Sequence, residues 1–152
     1  MSTHFEVVEI PQQLALTVKK TTSIGQMPKI IGGIYGSIAS HLLEKGEQPA
    51  GPPFIAYFNM DMENLMIEVG FPIHKEIEGE GEIKLSDIPG GRKAIGTHKG
   101  SYEKLASFYD QLAEWLNEEK LEPTGVVYEY YLNSPEEVPE SELLTKVEFL
   151  LK

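Results

Sequence analysis

Two stretches of the chain repeat their apolar residues with a helical period. Between Met27 and Lys45, three- and four-residue spacing produces an apolar stripe of Ile31, Tyr35, Ile38 and Leu42. Between Tyr102 and Lys120, similar spacing relates Leu105, Phe108, Tyr109, Leu112, Trp115 and Leu116. The pattern predicts two amphipathic helices that each pack one face on a sheet. Ser101 is a suitable N-cap for the second.

The residues around the second helical stretch favour strands. "RKAIGTH", residues 92–98, precedes the helix, and Pro123 and Gly125 punctuate the return to "VVYEYYL", residues 126–132. The latter is rich in β-branched and aromatic residues, which fit a pleated surface. Alternation along this strand places Val127, Glu129 and Tyr131 on the same face.

The order strand, helix, strand, strand occurs twice, with short signatures at matching places. An Ile-Pro pair lies near the start of each copy, at residues 10–11 and 88–89. A Pro-X-Gly precedes a strand that ends in Asn, at residues 49–51 and 123–125. We therefore interpret residues 1–152 as a single domain containing two pseudo-repeats, at about 4–74 and 82–152.

A carboxylate stands in the middle of the strand in the second copy. Aligning the two Pro-X-Gly signatures sets Glu129 against Ile55 and Tyr131 against Tyr57. If this strand face covers the core, burial raises the pKa of Glu129 unless a cation or donors compensate. A carboxylate among tyrosine rings suits a lipophilic cation, and the same groups could instead activate water for hydrolysis. The alternatives are an edge face open to water, or a glutamate satisfied by tyrosine hydroxyls.

Three glycines interrupt the first helical stretch, at Gly32, Gly33 and Gly36. Each costs about 1 kcal/mol of helix stability relative to alanine, so the chain needs a reason to keep them. We favour close packing of the helix on the sheet. The other interpretation is that the missing side chains leave room for a ligand.

Composition and charge exclude several classes of function. The 152 residues include 24 acidic and 13 basic side chains, a net charge of −11, which argues against a surface for nucleic acid. Without cysteine there is no disulfide framework and no thiolate nucleophile. No apolar run approaches the roughly 20 residues of a membrane span, and the N-terminus lacks a signal peptide's apolar region. These features predict a cytoplasmic protein with no membrane association.

Motifs for catalysis and metal binding are missing. The four histidines show no HxxxH or HExxH spacing, and neither a GxSxG elbow nor a Walker A sequence occurs. Glu76, Glu78, Glu80 and Glu82 alternate with apolar residues and glycines, which predicts a solvated strand or hairpin. Carboxylate metal sites need convergence from different segments. We therefore expect no metal and no cofactor.

The second half closely resembles the GyrI-like family of effector-binding domains, found in AraC-type and BmrR-type multidrug regulators and as free-standing proteins. The shared pattern includes Gly-Ser-Tyr at 100–102, Trp-Leu at 115–116, Tyr-Glu-X-Tyr at 128–131, Asn-X-Pro at 133–135 and Val-Pro at 138–139. The resemblance implies an α+β fold. Two βαββ units would form one antiparallel sheet with two long helices and a pseudo-two-fold, SHS2-like arrangement.

The resemblance also implies a ligand cleft between the two repeats. Glu129 occupies the position of the acidic residue that pairs with cationic drugs in the multidrug regulators. Aromatic pocket walls are implied as well, and the candidates in this chain are Tyr131, Tyr57, Tyr35, Tyr102 and Trp115. The family domain fills nearly all of the chain, so no room is left for a helix-turn-helix domain.

Three functions remain open at this point. The first is a free-standing binding protein for lipophilic small molecules, including cationic ones, with Glu129 as counter-charge. The second is a hydrolase of strained, cyclopropane-type electrophiles, with Glu129 as base and Tyr131 or Tyr57 assisting. The third is a protein-interaction role like that of the gyrase inhibitors in the family, which would require a protein partner and no direct contact with nucleic acid.

Overall fold

The structure, a computed structural model, describes residues 4–152. Its strands and long helices follow in chain order as β1 (Phe5–Ile10), β2 (Gln13–Thr22), α1 (Met27–Glu44), β3 (Phe54–Tyr57), β4 (Leu65–Pro72), β5 (Lys84–Ile88), β6 (Gly91–Lys99), α2 (Leu105–Glu118), β7 (Pro123–Tyr131) and β8 (Leu144–Leu151). Short 3₁₀ turns cover Tyr102–Lys104 and Glu140–Glu142. Within the described residues, no helix combines the length and apolar content needed to cross a membrane.

The helices follow the hydrophobic pattern closely. Helix α1 begins and ends within one residue of its predicted bounds, and Pro28 in its first turn fits a helix start. Helix α2 begins three residues later than predicted, because Tyr102–Lys104 forms a 3₁₀ turn. Ser101 precedes that turn but makes no side-chain capping hydrogen bond, so the predicted cap is wrong. The α+β class, with antiparallel strands and two long helices, is confirmed.

One compact unit, called the central unit, comprises Pro11–Gly90. Its strands pair in the antiparallel order β3-β4-β2-β5, and α1 contacts β4 and β2. The apolar stripe of α1 supplies Ile38 and Leu42 to the core, where both side chains are buried. The buried faces of β2 and β4 supply Leu16 and Val69. The helix period and the strand alternation thus meet in one hydrophobic interior.

The second compact unit, called the terminal unit, joins the chain up to Ile10 with Gly91–Lys152. Its strands pair in the antiparallel order β1-β6-β8-β7. Helix α2 covers one face of these strands, through a core cluster of Phe108, Leu112, Val127 and Val147. That is the face on which alternation placed Glu129.

Each unit contains one strand that directly precedes, in the chain, a strand of the other unit. Strand β1 precedes β2 in the chain but pairs with β6, and β5 precedes β6 but pairs with β2. The two Ile-Pro pairs mark these connections, because residues 10–11 and 88–89 each lie between one such strand and the next. The chain enters the central unit between Ile10 and Pro11, and it returns to the terminal unit between Gly90 and Gly91, just after the second Ile-Pro pair. The repeated Ile-Pro signature therefore marks both crossings between the units.

The glycines of α1 are not sites of close packing, so that prediction is wrong. A Cβ added at Gly32, Gly33 or Gly36 would meet nothing within 4 Å apart from the chain neighbours and the helix's own backbone. All three positions are exposed. The space beside these glycines is open, and the interpretation that it leaves room for a ligand stays a prediction.

Candidate functional site

Glu129 lies in β7 on the face covered by α2, and only 7% of the residue is exposed. It pairs across to Val147 of β8 in a ladder that also joins Val127 to Phe149. Val127 and Val147 both belong to the hydrophobic core. The burial that was expected if this face covers the core is thus observed, and the alternative of an edge face open to water is excluded. The other alternative, a glutamate satisfied by tyrosine hydroxyls, agrees with the hydrogen bonds of this carboxylate.

Two tyrosine hydroxyls donate hydrogen bonds to the two oxygens of this carboxylate. Tyr131, two residues along β7, donates to Oε1 at 2.7 Å. Tyr109, from α2, donates to Oε2. A carboxylate has about four lone-pair sites, so these two donors leave it with acceptor capacity.

Tyr102 completes the group, which we call the Glu129 cluster (Glu129, Tyr102, Tyr109 and Tyr131). Its ring lies 6.1 Å from the ring of Tyr131 in an edge-to-face arrangement. The pKa of the Tyr102 hydroxyl is raised by partial burial and then by the negative charge of Glu129. Tyr102 is 41% exposed, and it forms the solvent-facing side of the cluster.

The electrostatics of Glu129 are unusual for an acidic side chain. Burial raises the pKa of its carboxyl, and the hydrogen bonds from Tyr109 and Tyr131 oppose that effect only in part. Among residues 4–152, no Lys, Arg or His lies within ion-pair distance of Glu129. The negative charge is held by hydroxyl dipoles alone, in a setting where an added cation would be favoured.

The raised pKa gives a pH-dependent stability prediction. The folded protein binds the Glu129 proton more tightly than the unfolded chain, so burying the charged form lowers stability at neutral pH. Glu129→Gln is therefore expected to raise the free energy of unfolding at pH 7. The gain should shrink as the pH falls through the raised pKa, and vanish below the ordinary value of 4.5. Urea unfolding of both proteins from pH 4 to pH 8 measures it.

The exposed residue Glu122 provides the control for this series. Glu122→Gln should change stability little at any pH in the range, since the side chain is not buried. A stability difference between wild type and Glu129→Gln that is the same at pH 4 and pH 8 would contradict the prediction.

The structure brings together some of the predicted aromatic residues. Tyr131 and Tyr102 lie in the Glu129 cluster. Trp115 packs instead on Phe5, with ring centroids 5.7 Å apart, at the border of the hydrophobic core. Tyr35 and Tyr57 belong to the central unit, where the Tyr35 hydroxyl donates to the Phe54 carbonyl at 2.9 Å. Their part in a ligand site, like the cleft between the repeats, stays a prediction.

Tyr109 is the residue of the cluster that sequence reasoning missed. It was counted as one of the apolar positions of the second helix, and its ring does pack beside Phe149. The hydroxyl of Tyr109 could have indicated its role, because a tyrosine on the buried face of a helix needs a hydrogen-bond partner. The sequence identified Glu129 as a candidate acceptor, but no sequence pattern linked Tyr109 to it.

The Glu129 cluster is thus a buried acceptor bordered by aromatic rings. The family model for the GyrI-like small molecule binding domain matches residues 3–152, and the chain belongs to this family. The resemblance of the sequence is thereby confirmed. A comparison with curated proteins finds no match.

Solved structures of three proteins share the fold. EcmrR in a DNA complex superimposes with a TM-score of 0.84 at 19% identity, over 99% of this chain and 57% of that chain, and the EcmrR C-terminal domain gives 0.80 at 17%, over 100% and 99%. A hydrolase from Listeria innocua gives 0.74 at 12%, over 97% and 91%. SAV2435 bound to tetraphenylphosphonium gives 0.67 at 6%, over 98% and 94%.

These likenesses establish the fold and no more, since every identity is below 20%. This chain spans little more than half of the EcmrR chain seen with DNA, and nearly all of the EcmrR C-terminal domain. The length of this chain is therefore about that of the EcmrR C-terminal domain. The binding of DNA in that complex is an observation about EcmrR and is not transferred to this chain.

Proposed function

We propose that the protein binds lipophilic small molecules, including cationic ones, with Glu129 as the counter-charge. The observation that carries the proposal is the buried Glu129 carboxylate, which has two tyrosine donors and no cationic partner among residues 4–152. A buried carboxylate whose pKa is raised by its surroundings is a candidate for a functional group. Membership of a small-molecule-binding family supports this use.

The chemistry of the Glu129 cluster fits an organic cation with a delocalised or shielded charge. Such a cation loses little hydration on entering an apolar site, and aromatic rings offer it their negative faces. Tyr102 and Tyr131, packed edge to face, present both ring surface and apolar area. Glu129 adds the full negative charge in a setting of low dielectric, where attraction is stronger than in water. A further support is SAV2435, which has the same fold and binds tetraphenylphosphonium.

The test is a titration with tetraphenylphosphonium, followed by calorimetry, of wild type and Glu129→Gln. Glutamine keeps the shape and removes the charge. We expect the Kd of the variant to rise at least about tenfold, or roughly 1.4 kcal/mol. Triphenylphosphine oxide, an uncharged aromatic compound of related shape, should bind both proteins equally.

Glu68 offers a matched control variant in the central unit. It is also buried, at 4% exposure, and its Oε2 accepts hydrogen bonds from the hydroxyls of Thr17 at 2.6 Å and Ser86 at 2.7 Å. Glu68→Gln removes an equally buried carboxylate that lies outside the Glu129 cluster, so the affinity of this variant should equal that of wild type. Equal affinities for wild type and Glu129→Gln, or equal losses in the two variants, would reject Glu129 as the counter-charge.

Hydrolysis of strained rings is the second candidate, favoured by the hydrogen bond between Tyr109 and Glu129. Glu129, with its raised pKa, could take a proton from water as the water oxygen attacks a ring carbon. The ring bond then breaks, and its electron pair takes the proton of a tyrosine hydroxyl, which Glu129 restores. Turnover of an activated cyclopropane by wild type, abolished in Glu129→Gln and reduced in Tyr109→Phe, is expected. Turnover no faster than in buffer would reject the activity for that substrate.

A further inference from the structure

A second cluster of ligand-bearing side chains lies in the central unit, at the C-terminal end of α1. His41 and Glu44 are three residues apart and therefore project from neighbouring positions on the helix surface. Glu80 reaches them from the turn before β5, where Glu80 and Ile83 form an isolated antiparallel bridge. One ligand atom from each of the three side chains lies within 4.8 Å of the others.

The imidazole of His41 is fixed by its surroundings. The residue is only 4% exposed, and its Nε2 lies 2.7 Å from the backbone carbonyl oxygen of Glu78. A carbonyl oxygen only accepts, so Nε2 carries a proton and donates it. In the neutral ring, Nδ1 is then left with an in-plane lone pair. Ligating histidines commonly donate their second ring nitrogen to a carbonyl in this manner.

The lone pair of Nδ1 has nothing to bond to. Nδ1 is buried and makes no hydrogen bond within residues 4–152, although Glu80 Oε2 lies 3.5 Å away. A lone pair and a carboxylate oxygen at that separation repel each other unless a positive charge sits between them. The negative end of the α1 dipole, where Glu44 adds another negative charge, favours a cation at the same place.

The cluster is open to solvent on one side. It borders a groove of roughly 600 Å³, lined also by Gly33, Gly36 and Ser40. The glycines keep this groove free of side chains, since a Cβ at either position would project into open space. An ion bound by the three side chains would retain positions for water or for a small ligand.

We propose that His41 Nδ1, Glu44 and Glu80 form a binding site for a divalent transition-metal ion of the zinc type. An imidazole nitrogen with two carboxylates suits Zn²⁺ better than Ca²⁺ or Mg²⁺, which prefer oxygen ligands throughout. Three protein ligands with an open fourth position are typical of exchangeable or catalytic zinc rather than of a closed structural site. The inference departs from the sequence-based expectation of no metal, and it is independent of the function proposed for Glu129.

Titration with Zn²⁺ tests the site, using the full chain after chelator treatment, at pH 7.5 and followed by calorimetry. We expect one ion per chain. Glu80→Gln and Glu44→Gln alter exposed side chains, so both variants should fold, and each should weaken binding at least about 100-fold. Glu78→Gln is the matched control, because it changes a neighbouring carboxylate and leaves the carbonyl that accepts from His41 in place.

Co²⁺ provides a second measurement that reports geometry as well as affinity. We expect visible absorption typical of a low-coordinate site with nitrogen ligation in wild type, and its loss in Glu80→Gln and in His41→Gln. Zn²⁺ affinity and stoichiometry that are the same in wild type, Glu44→Gln and Glu80→Gln would mean adventitious surface binding only and would overturn the proposal. An absence of saturable binding by wild type would overturn it too.

Discussion

Replacing Glu148 with leucine is expected to lower the free energy of unfolding by about 3–5 kcal/mol, measured by urea denaturation. Glu148 lies in β8 on the face of the terminal unit opposite α2, and it is 2% exposed. Its Oε1 is 3.4 Å from the ammonium of Lys93, and its Oε2 is 3.1 Å from that of Lys146. Leucine keeps most of the volume, so the loss reports charge rather than a cavity.

The cost arises from the cation that the substitution leaves behind. Lys93 is 1% exposed and pairs with no carboxylate of the described residues other than Glu148. Its ammonium would remain 5.9 Å from the ring centre of Tyr128, and that contact is too weak to replace a full counter-charge. Removing one partner of a buried pair is more damaging than removing both.

Two further variants serve as controls for the Glu148→Leu measurement. The double variant Lys93→Met with Glu148→Leu should recover most of the lost stability, since no buried charge remains uncompensated. Glu82→Ala breaks the exposed pair with Lys20, at 2.8 Å, and should cost less than about 1 kcal/mol. A single Glu148→Leu variant within 1 kcal/mol of wild type would show that Lys93 is not held by this carboxylate.

Gly70→Ala is expected to destabilise the protein by about 2–3 kcal/mol. Gly70 lies in β4 beside β2, and a Cβ there would come well within 3.0 Å of the Leu16 carbonyl oxygen. It would also lie 2.8 Å from Cγ2 of Thr17. The obstructing carbonyl belongs to a strand backbone held in the sheet, so it cannot move aside as a flexible side chain could. Urea denaturation measures the loss.

The same substitution in α1 should act in the opposite direction. Gly32→Ala adds a methyl group into open space on an exposed helix surface and should raise the free energy of unfolding by up to about 1 kcal/mol. The contrast separates steric overlap from the general preference for alanine over glycine. Gly70→Ala at or above wild-type stability would contradict the packing seen between β2 and β4.

Local pattern was sufficient to predict much of the fold, and it identified Glu129 as the candidate centre of a site. The stripe of α1 determined its bounds because helix periodicity is a local property. Strand alternation placed Glu129 on one face with Val127 and Tyr131, and the structure shows that Val127 and Glu129 on this face are buried. The pairing of β1 with β6 could not be predicted from the sequence. An Ile-Pro connection has the same sequence whether the strand before it pairs with the next strand or with a distant one.

The cluster of His41, Glu44 and Glu80 could not be predicted from the sequence. Glu80 was assigned to a solvated strand or hairpin, and its side chain is exposed as expected. The residues that give it a chemical environment lie more than thirty positions away in α1, and no short spacing links them. A histidine on an apolar helix face is ordinarily a core residue; only the direction of its Nδ1 distinguishes this one.

The placement of β1 has a consequence for the order in which the nascent chain can fold. The central unit is continuous from Pro11 to Gly90, so it can form as soon as that stretch has left the ribosome. Strand β1 emerges before the central unit, yet its partner β6 is made only after that unit is complete. The Glu129 cluster therefore belongs to a unit that can assemble only after the whole central unit has been synthesised.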